Sequence, residues 1–228
     1  MLASQTVENY LKAIYLAQRA SDGETSDGRL VPMGQIASAL GVVPGTATTM
    51  VKTLAESGLV KYEPYMGVRL TAAGERLAAL VLRRHRLIEQ FLVQVLGMNW
   101  SEVHDEAERL EHAVSERLID RIDEMLGRPA VDPHGDPIPG PEGELQEQSY
   151  VDLLSCPLGA PMLVARVTDQ DAKFLRFIEE RHLKPGQRIA IVNRDPASDS
   201  VTVRSEDGHE TTIGARAASK VLVVAAGV

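Results

Sequence analysis

A chain of 228 residues with 44% hydrophobic residues is long enough for two or three modest cores, and no stretch reaches the ~20 uncharged apolar residues of a membrane span. Its formal charge of −8 argues against indiscriminate binding to a polyanion. The N-terminal stretch carries Glu8, Asn9 and Lys12 where a secretory signal needs an apolar run, and the lone Cys156 can close no intramolecular disulfide, so a cytoplasmic location is expected, with Cys156 a small buried hydrophobe. In chain order, Val7, Leu11, Ile14 and Tyr15 recur at helical spacing and predict a helix over 4–19, closed by a polar Ser/Asp/Gly loop from Ser21. Met33–Leu40, a break at Gly41, and a second helix from Pro44 to Glu56 predict two short helices joined by a tight turn. The runs from Gly58 to Tyr62 and from Val68 to Leu70 flank Met66-Gly67 and predict a two-stranded hairpin. Helix, helix-turn-helix and hairpin in this order are the parts of a winged helix-turn-helix over residues 1–72.

Thr71 reads as the N-cap of a long helix reaching about Leu96, and a further helical tract is expected from Trp100 to Leu126. In that tract Val103, Ala107, Leu110, Val114, Leu118 and Met125 form an apolar stripe that has to be covered, within the chain or by a second copy. Residues 127–149, with Pro129, Pro137, Pro139 and Pro141, read as a linker or irregular lobe that closes a helical domain over 73–149. Strands are expected at Met162–Val167, Arg188–Asn193, Ser200–Arg204 and Lys220–Ala225, with a short helix near Phe174–Arg181, so residues 150–228 are expected to form a small SH3-like barrel. The fold class is α+β.

The chemistry lies in the helical domain. His104, Glu108, Glu111 and His112 fall at i, i+4, i+7 and i+8, which puts four potential metal ligands on one face of a helix. His85 and Glu89 repeat the i, i+4 spacing on the helix before, so antiparallel packing can converge both sets on one or two metal ions. The bland alternative is a surface salt-bridge network with Arg83, Arg84 and Arg109. Residues 71–126 contain no Glu-x-x-His pair, the His-Glu-x-x-His motif, a nucleophile elbow and a phosphate loop are missing from the sequence, and an enzyme is not expected. On the helix from Pro44, Thr46, Thr48 and Thr49 are candidates for bases or phosphates and Lys52 for the backbone of double-stranded DNA. Lys61 and Arg69 on the hairpin are phosphate candidates. The acid lies elsewhere, since residues 1–72 hold six Lys/Arg against six Asp/Glu, and two bound divalent cations would halve the formal charge. His182 and His209 show no partner pattern and read as ordinary surface residues.

The runs Arg84-His85-Arg86-Leu87-Ile88-Glu89, Val103-His104-Asp105-Glu106-Ala107-Glu108-Arg109-Leu110-Glu111-His112 and His134-Gly135-Asp136-Pro137-Ile138-Pro139-Gly140, with Glu8-Asn9-Tyr10-Leu11-Lys12 in the first helix, resemble the diphtheria-toxin-repressor family of iron- and manganese-dependent regulators. The resemblance spans essentially the whole chain. It implies a winged-helix domain, a helical dimerisation domain that holds metal, and a C-terminal domain similar to SH3 folds and to ferrous-iron transport protein A. It also implies a homodimer that binds operator DNA when about two sites per chain are filled, with recognition helices spaced about 34 Å or a multiple apart.

Ligands follow from the same resemblance. The activating site would use Asn9, Glu108, Glu111 and His112. Glu108 is a carboxylate where iron-type members carry sulfur, which favours Mn(II) over Fe(II). Asn9 replaces the methionine or aspartate usual at its position and offers a neutral carbonyl oxygen. Lys12 stands where some manganese members have a second acidic ligand, a departure from their closely spaced binuclear arrangement. A second site would use His85, Glu89 and His104, completed by Asp169 or Asp171 in the Asp169-Gln170-Asp171 stretch. A different family arrangement joins Asp132 and His134 of the linker to Glu89. Two other functional classes remain open from sequence: a winged-helix regulator sensing an organic or redox effector, and a metal-storage or metallochaperone dimer.

Overall fold

The computed structural model describes residues 4–19, 29–145 and 148–226. The expected polar loop from Ser21 lies outside the described residues. Compactness divides the chain into one unit of residues 1–85 with 139–145 and another of residues 86–138 with 146–228.

The first unit opens with α1 (Gln5–Arg19), α2 (Met33–Ala39) and α3 (Pro44–Glu56), followed by β1 (Val60–Glu63), β2 (Gly67–Leu70) and the start of α4 (Ala72–Gln94). Pro44 sits at the first turn of α3, where its missing N–H costs nothing, and Gly41 in the turn before it has φ +63°. Leu11 and Ile14 of α1, Ile36 of α2, Ala47, Val51 and Leu54 of α3, and Val68 of β2 are all buried in one core. Burying each larger side chain contributes ~1.5–3 kcal/mol before conformational entropy is subtracted. The hairpin pairs Val60 with Leu70 and Glu63 with Gly67, and an isolated bridge from Val31 to Val68 adds a third extended segment. Gly67 is required there, because a Cβ at that position would lie 2.5 Å from the Val31 carbonyl oxygen. Gln18 locks α1 to the hairpin by accepting from Leu70 N at 3.1 Å. Thr71 begins α4 as expected, its hydroxyl accepting from Gly74 N at 3.2 Å.

In the second unit the expected single tract from Trp100 to Leu126 is two helices, α5 (Val103–Leu110) and α6 (Glu116–Met125). Ser115 causes the break: its backbone is extended (φ −75°, ψ 151°) and its side chain accepts from Leu118 N, a new N-cap. The expected stripe is correspondingly interrupted. Val103 and Ala107 are buried with Leu87, Ile88 and Leu92 of α4, and α6 contributes Ile119 and Ile122. Leu110, Leu118 and Met125 remain exposed at 38%, 50% and 56%.

The C-terminal part carries β3 (Val151–Asp152), β4 (Pro161–Val167), α7 (Ala172–Glu179), β5 (Arg188–Asp195), β6 (Ser200–Ser205), β7 (Glu210–Gly214), α8 (Ala215–Ala218) and β8 (Val221–Ala225). They form a six-stranded antiparallel SH3-like sheet in the order β3-β8-β4-β5-β6-β7. Bulges between Val164 and Arg166 and between Ile191 and Asn193 bend it. The first shifts the strand's alternation by one, so Val167 joins Met162 and Val164 in the core and Arg166 turns outward.

Candidate metal centre and DNA-reading surface

α4 carries Glu89, which is fully buried, and α5 carries His104. The loop of residues 127–138 supplies the rest, and of the two expectations for this stretch, linker or irregular lobe, its buried side chains fit the lobe. Asp132, His134 and Asp136 are all buried, at 3%, 0% and 3% exposure. The loop is ordered by its own side chain: Asp132 Oδ1 accepts from His134 N at 2.8 Å and from Asp136 N at 2.9 Å. Gly135, at φ +84°, lets it press against β4, where Val167 N donates to His134 O at 2.9 Å; a Cβ at 135 would lie 1.9 Å from the Ala165 carbonyl oxygen.

These elements bring one ligand atom each of Glu89, Asp132 and His134 within 4.8 Å of one another. Glu89 reaches both histidines, Oε1 standing 3.2 Å from His104 Nδ1 and Oε2 standing 3.6 Å from His134 Nδ1. His134 Nε2 lies 2.9 Å from the Trp100 carbonyl oxygen, which fixes the tautomer with the proton on Nε2 and turns the Nδ1 lone pair toward the carboxylates. Asp132 Oδ2 and His134 Nδ1 are buried without a hydrogen-bond partner. Burial, then the charges of Asp136 and Glu89, push the Asp132 carboxyl well above its usual range against the pull of Arg86 and His134. Burial alone would lower the His134 pKa, but Glu89 and Asp132 raise it on balance. Carboxylates crowded beside an imidazole lone pair, in a place water does not reach, are an arrangement that a divalent cation relieves. The oxygen and imidazole donors suit Mn(II), Fe(II) or Zn(II).

The other expected ligands are distributed as follows. α5 ends at Leu110, with Glu111 as its C-cap in helical conformation (φ −56°, ψ −27°) and His112 in the turn beyond, and ligand atoms of Glu108 and Glu111 lie within 4.8 Å of one another. His104 Nε2 is 3.8 Å from Glu108 Oε1, and His112 Nε2 is 3.3 Å from Glu111 Oε1. Glu111 is fully buried. In the first unit, Asn9 Oδ1 is a buried oxygen without a hydrogen-bond partner, while its neighbour Glu8 pairs with Arg84 at 2.7 Å. Lys12 Nζ stands 3.2 Å from His85 Nδ1. Asp169 is bound to Lys220, and Asp171 caps α7 by accepting from Lys173 N and Phe174 N, so neither stands in the Glu89 cluster. Gln170 between them instead donates to Asp136 Oδ2 at 2.9 Å.

Sequence reasoning missed Trp100, Arg86 and Asp136. Trp100 lies against the His134 ring with centroids 5.6 Å apart, and Arg86 stands 3.6 Å from Asp132 and 3.5 Å from Asp136. The alternation Asp132-x-His134-x-Asp136 was a usable signal. His182 and His209, expected to be partnerless, form a tilted ring pair with centroids 5.3 Å apart.

On the DNA-reading side, Thr46, Thr49 and Lys52 of α3 and Lys61 of β1 are exposed, and Thr48 and Arg69 are half-buried. Thr48 and Thr49 donate their hydroxyl protons to Pro44 O and Gly45 O at 2.8 and 3.0 Å, so towards an outside partner they offer lone pairs and methyl groups. Among the described residues no helix is long and apolar enough to cross a membrane.

A winged helix-turn-helix joined to a helical unit with buried carboxylate and histidine side chains, and to an SH3-like sheet, defines a metal-responsive DNA-binding regulator. Residues 2–68 match the iron dependent repressor N-terminal DNA binding domain, residues 71–140 the iron dependent repressor metal binding and dimerisation domain, and residues 151–225 the FeoA domain. The diphtheria toxin repressor of Corynebacterium glutamicum is 34% identical over 201 residues, covering 82% of this chain and 84% of that protein. The iron-dependent repressor IdeR of Mycobacterium tuberculosis is 29% identical over 229 residues, covering 91% and 96%. A solved manganese-dependent transcriptional repressor in complex with manganese superposes with a TM-score of 0.85 at 39% identity, covering 96% of this chain and 100% of that one. The apo form of the manganese-activated repressor ScaR gives 0.75 at 31%, covering 96% and 100%. The chain therefore belongs to the diphtheria-toxin-repressor family of iron- and manganese-dependent transcriptional repressors, whose members are DNA-binding regulators and not enzymes.

Proposed function

We propose that this chain is a cytoplasmic homodimeric repressor of metal-uptake and metal-homeostasis genes, with Mn(II) favoured over Fe(II) as co-repressor and two sites per chain. The observation that carries the metal reading is the buried Glu89, Asp132 and His134 cluster, with Asp132 Oδ2 and His134 Nδ1 lacking hydrogen-bond partners. These three residues, with His104 beside Glu89, are assigned to the second site, and His85 joins them by family resemblance. The activating site is assigned to Asn9, Glu108, Glu111 and His112, an assignment supported by the partnerless buried Asn9 Oδ1 and by the carboxylate at 108. The domain partition 1–72, 73–149 and 150–228 is part of the same reading. A second copy covering exposed Leu110, Leu118 and Met125 would complete the apolar stripe of the helical domain.

A bound divalent ion supplies positive charge that cancels the repulsion among the clustered carboxylates. The residues of the activating site belong to α1 and to the α5 region, so occupancy biases the arrangement in which two recognition helices match operator spacing. That bias cannot exceed the differential affinity of the two arrangements for the ion, ordinarily ~1–3 kcal/mol. Thr46, Thr48, Thr49 and Lys52 of α3, with Lys61 and Arg69 of the hairpin, are assigned to DNA. Operator binding by Glu108→Ala tests the account: its affinity should become the same with Mn(II) or with chelator. Parental metal dependence in that variant would remove Glu108 from the activating site, and a chelator-insensitive parent would favour an organic or redox effector.

A further inference from the structure

Two histidines that the metal and DNA assignments leave unused are brought together in the C-terminal domain. His182 lies between α7 and β5, and His209 in the turn from β6 to β7. α7 closes with a pair of bonds of the Schellman kind, Leu183 N donating to Ile178 O and His182 N to Glu179 O, both at 3.1 Å. His182 thereby takes φ +56°, a conformation that glycine adopts freely and a residue with a Cβ adopts at a steric cost. Leu183 beside it is buried and anchors the turn. In the other turn Ser205 N donates to His209 O at 2.9 Å, Gly208 N donates to Ser205 O at 3.0 Å, and Asp207 Oδ1 accepts from His209 N at 3.1 Å. Both imidazoles thus hang from turns whose backbones are tied down, and both residues are exposed. Among the described residues neither imidazole enters a hydrogen bond or an ion pair.

The ring centres stand 5.3 Å apart, with the planes inclined at 58°. A metal held at ~2.1 Å by an imidazole nitrogen lies about 3.2 Å from the centre of that ring, so two imidazoles on one tetrahedral ion have centres roughly 5 Å apart. The pair already has that spacing. We propose that His182 and His209 form a bidentate site for a late first-row divalent cation, Zn(II) foremost, with water in its remaining positions. Two neutral imidazoles hold the later metals far better than Mn(II), the weakest of the series, so this site takes a different ion from the favoured co-repressor. Asp207 adds negative charge near both rings: its carboxyl is held below the usual range by the Ser205 hydroxyl first, then by His209 N, with smaller pulls from the two imidazoles. Bound metal bridges the end of α7 to the β6–β7 turn. The site belongs wholly to the second unit and does not depend on the repressor reading.

The test uses the full chain with Zn(II) alone as the probe, and separately with Mn(II) at the same concentrations, comparing the parent with His182→Gly and His209→Gln. Carbethoxylation of each histidine is followed by mass spectrometry, which reads these two residues apart from metal bound elsewhere, and the thermal midpoint is taken in chelator. Once Zn(II) exceeds its Kd about tenfold, modification of His182 and His209 in the parent should slow about tenfold, both at the same midpoint concentration. Mn(II) should leave both reactive. Chelation makes each ring depend on the other, so His209 in His182→Gly, and His182 in His209→Gln, should stay reactive at Zn(II) concentrations that protect them in the parent. Glycine suits the positive φ, so the midpoint of His182→Gly in chelator should stay close to the parental one, which separates loss of the site from loss of the fold. No protection in the parent, or protection of His209 that persists in His182→Gly, overturns the site and leaves a ring contact only. Equal protection by Mn(II) overturns its assignment to a late metal.

Discussion

Replacing Asp132 by asparagine separates what its two oxygens do. Oδ1 holds the loop by accepting from His134 N and Asp136 N, and a carboxamide oxygen can accept both. Oδ2 stands buried, and that burial raises the proton affinity of the carboxyl, with Asp136 and Glu89 raising it further. An acid whose pKa is raised by folding keeps a proton that the unfolded chain has released. The metal-free protein therefore loses stability as pH climbs from the ordinary aspartate pKa towards the folded one, and that loss is complete above it. Asparagine removes this penalty, so at neutral pH metal-free Asp132→Asn should unfold at or above the parental midpoint. Bound metal reverses the order. A ligand at 100 times its Kd stabilises by ~2.7 kcal/mol, which for a chain of this size is roughly 5–10 °C in the midpoint. Differential scanning fluorimetry with chelator and with saturating Mn(II) should show the variant losing that share of the metal-induced shift. An equal metal-induced shift in parent and variant would refute a metal role for Asp132.

Gly135→Ala should destabilise by about 2–4 kcal/mol, since the new Cβ meets the Ala165 carbonyl oxygen at 1.9 Å from a backbone with φ +84°; urea unfolding with an unchanged m-value measures it, and a parental midpoint would contradict the packing described. Ser115→Ala removes the acceptor for Leu118 N at the start of α6 and should cost ~1 kcal/mol in the same assay. Lys52→Ala should weaken operator binding similarly across related sequences and lower the salt slope by ~1, and an unchanged slope would exclude a phosphate contact.

The reading head was legible because local signals agreed: Gly41 ends one helix, Pro44 starts the next, and hydrophobic spacing sets both faces. The helix break after Leu110 escaped notice because apolar periodicity continues through Val114 and Leu118, and the competing signal was a single capping residue, Ser115. Strand β7 escaped because Ile213 is its only large apolar residue. The stretch around Asp132 stayed ambiguous between linker and lobe for a different reason. Proline and glycine mark a chain that must turn, but composition does not say whether the turn faces water. Here Asp132 satisfies the loop's own amides, which permits burial, and Gly135 permits close approach to β4. Ligand types were visible as spacings, whereas pairing Glu89 with His134 depends on a contact between residues 45 positions apart in sequence.

The most direct test of the account is the affinity of the purified protein for its own promoter, titrated at fixed salt with Mn(II), anaerobic Fe(II), Zn(II) and chelator. The account predicts binding that appears with metal, reverses with chelator and is supported by Mn(II) at concentrations available in a cell. Equal binding with and without metal would contradict it.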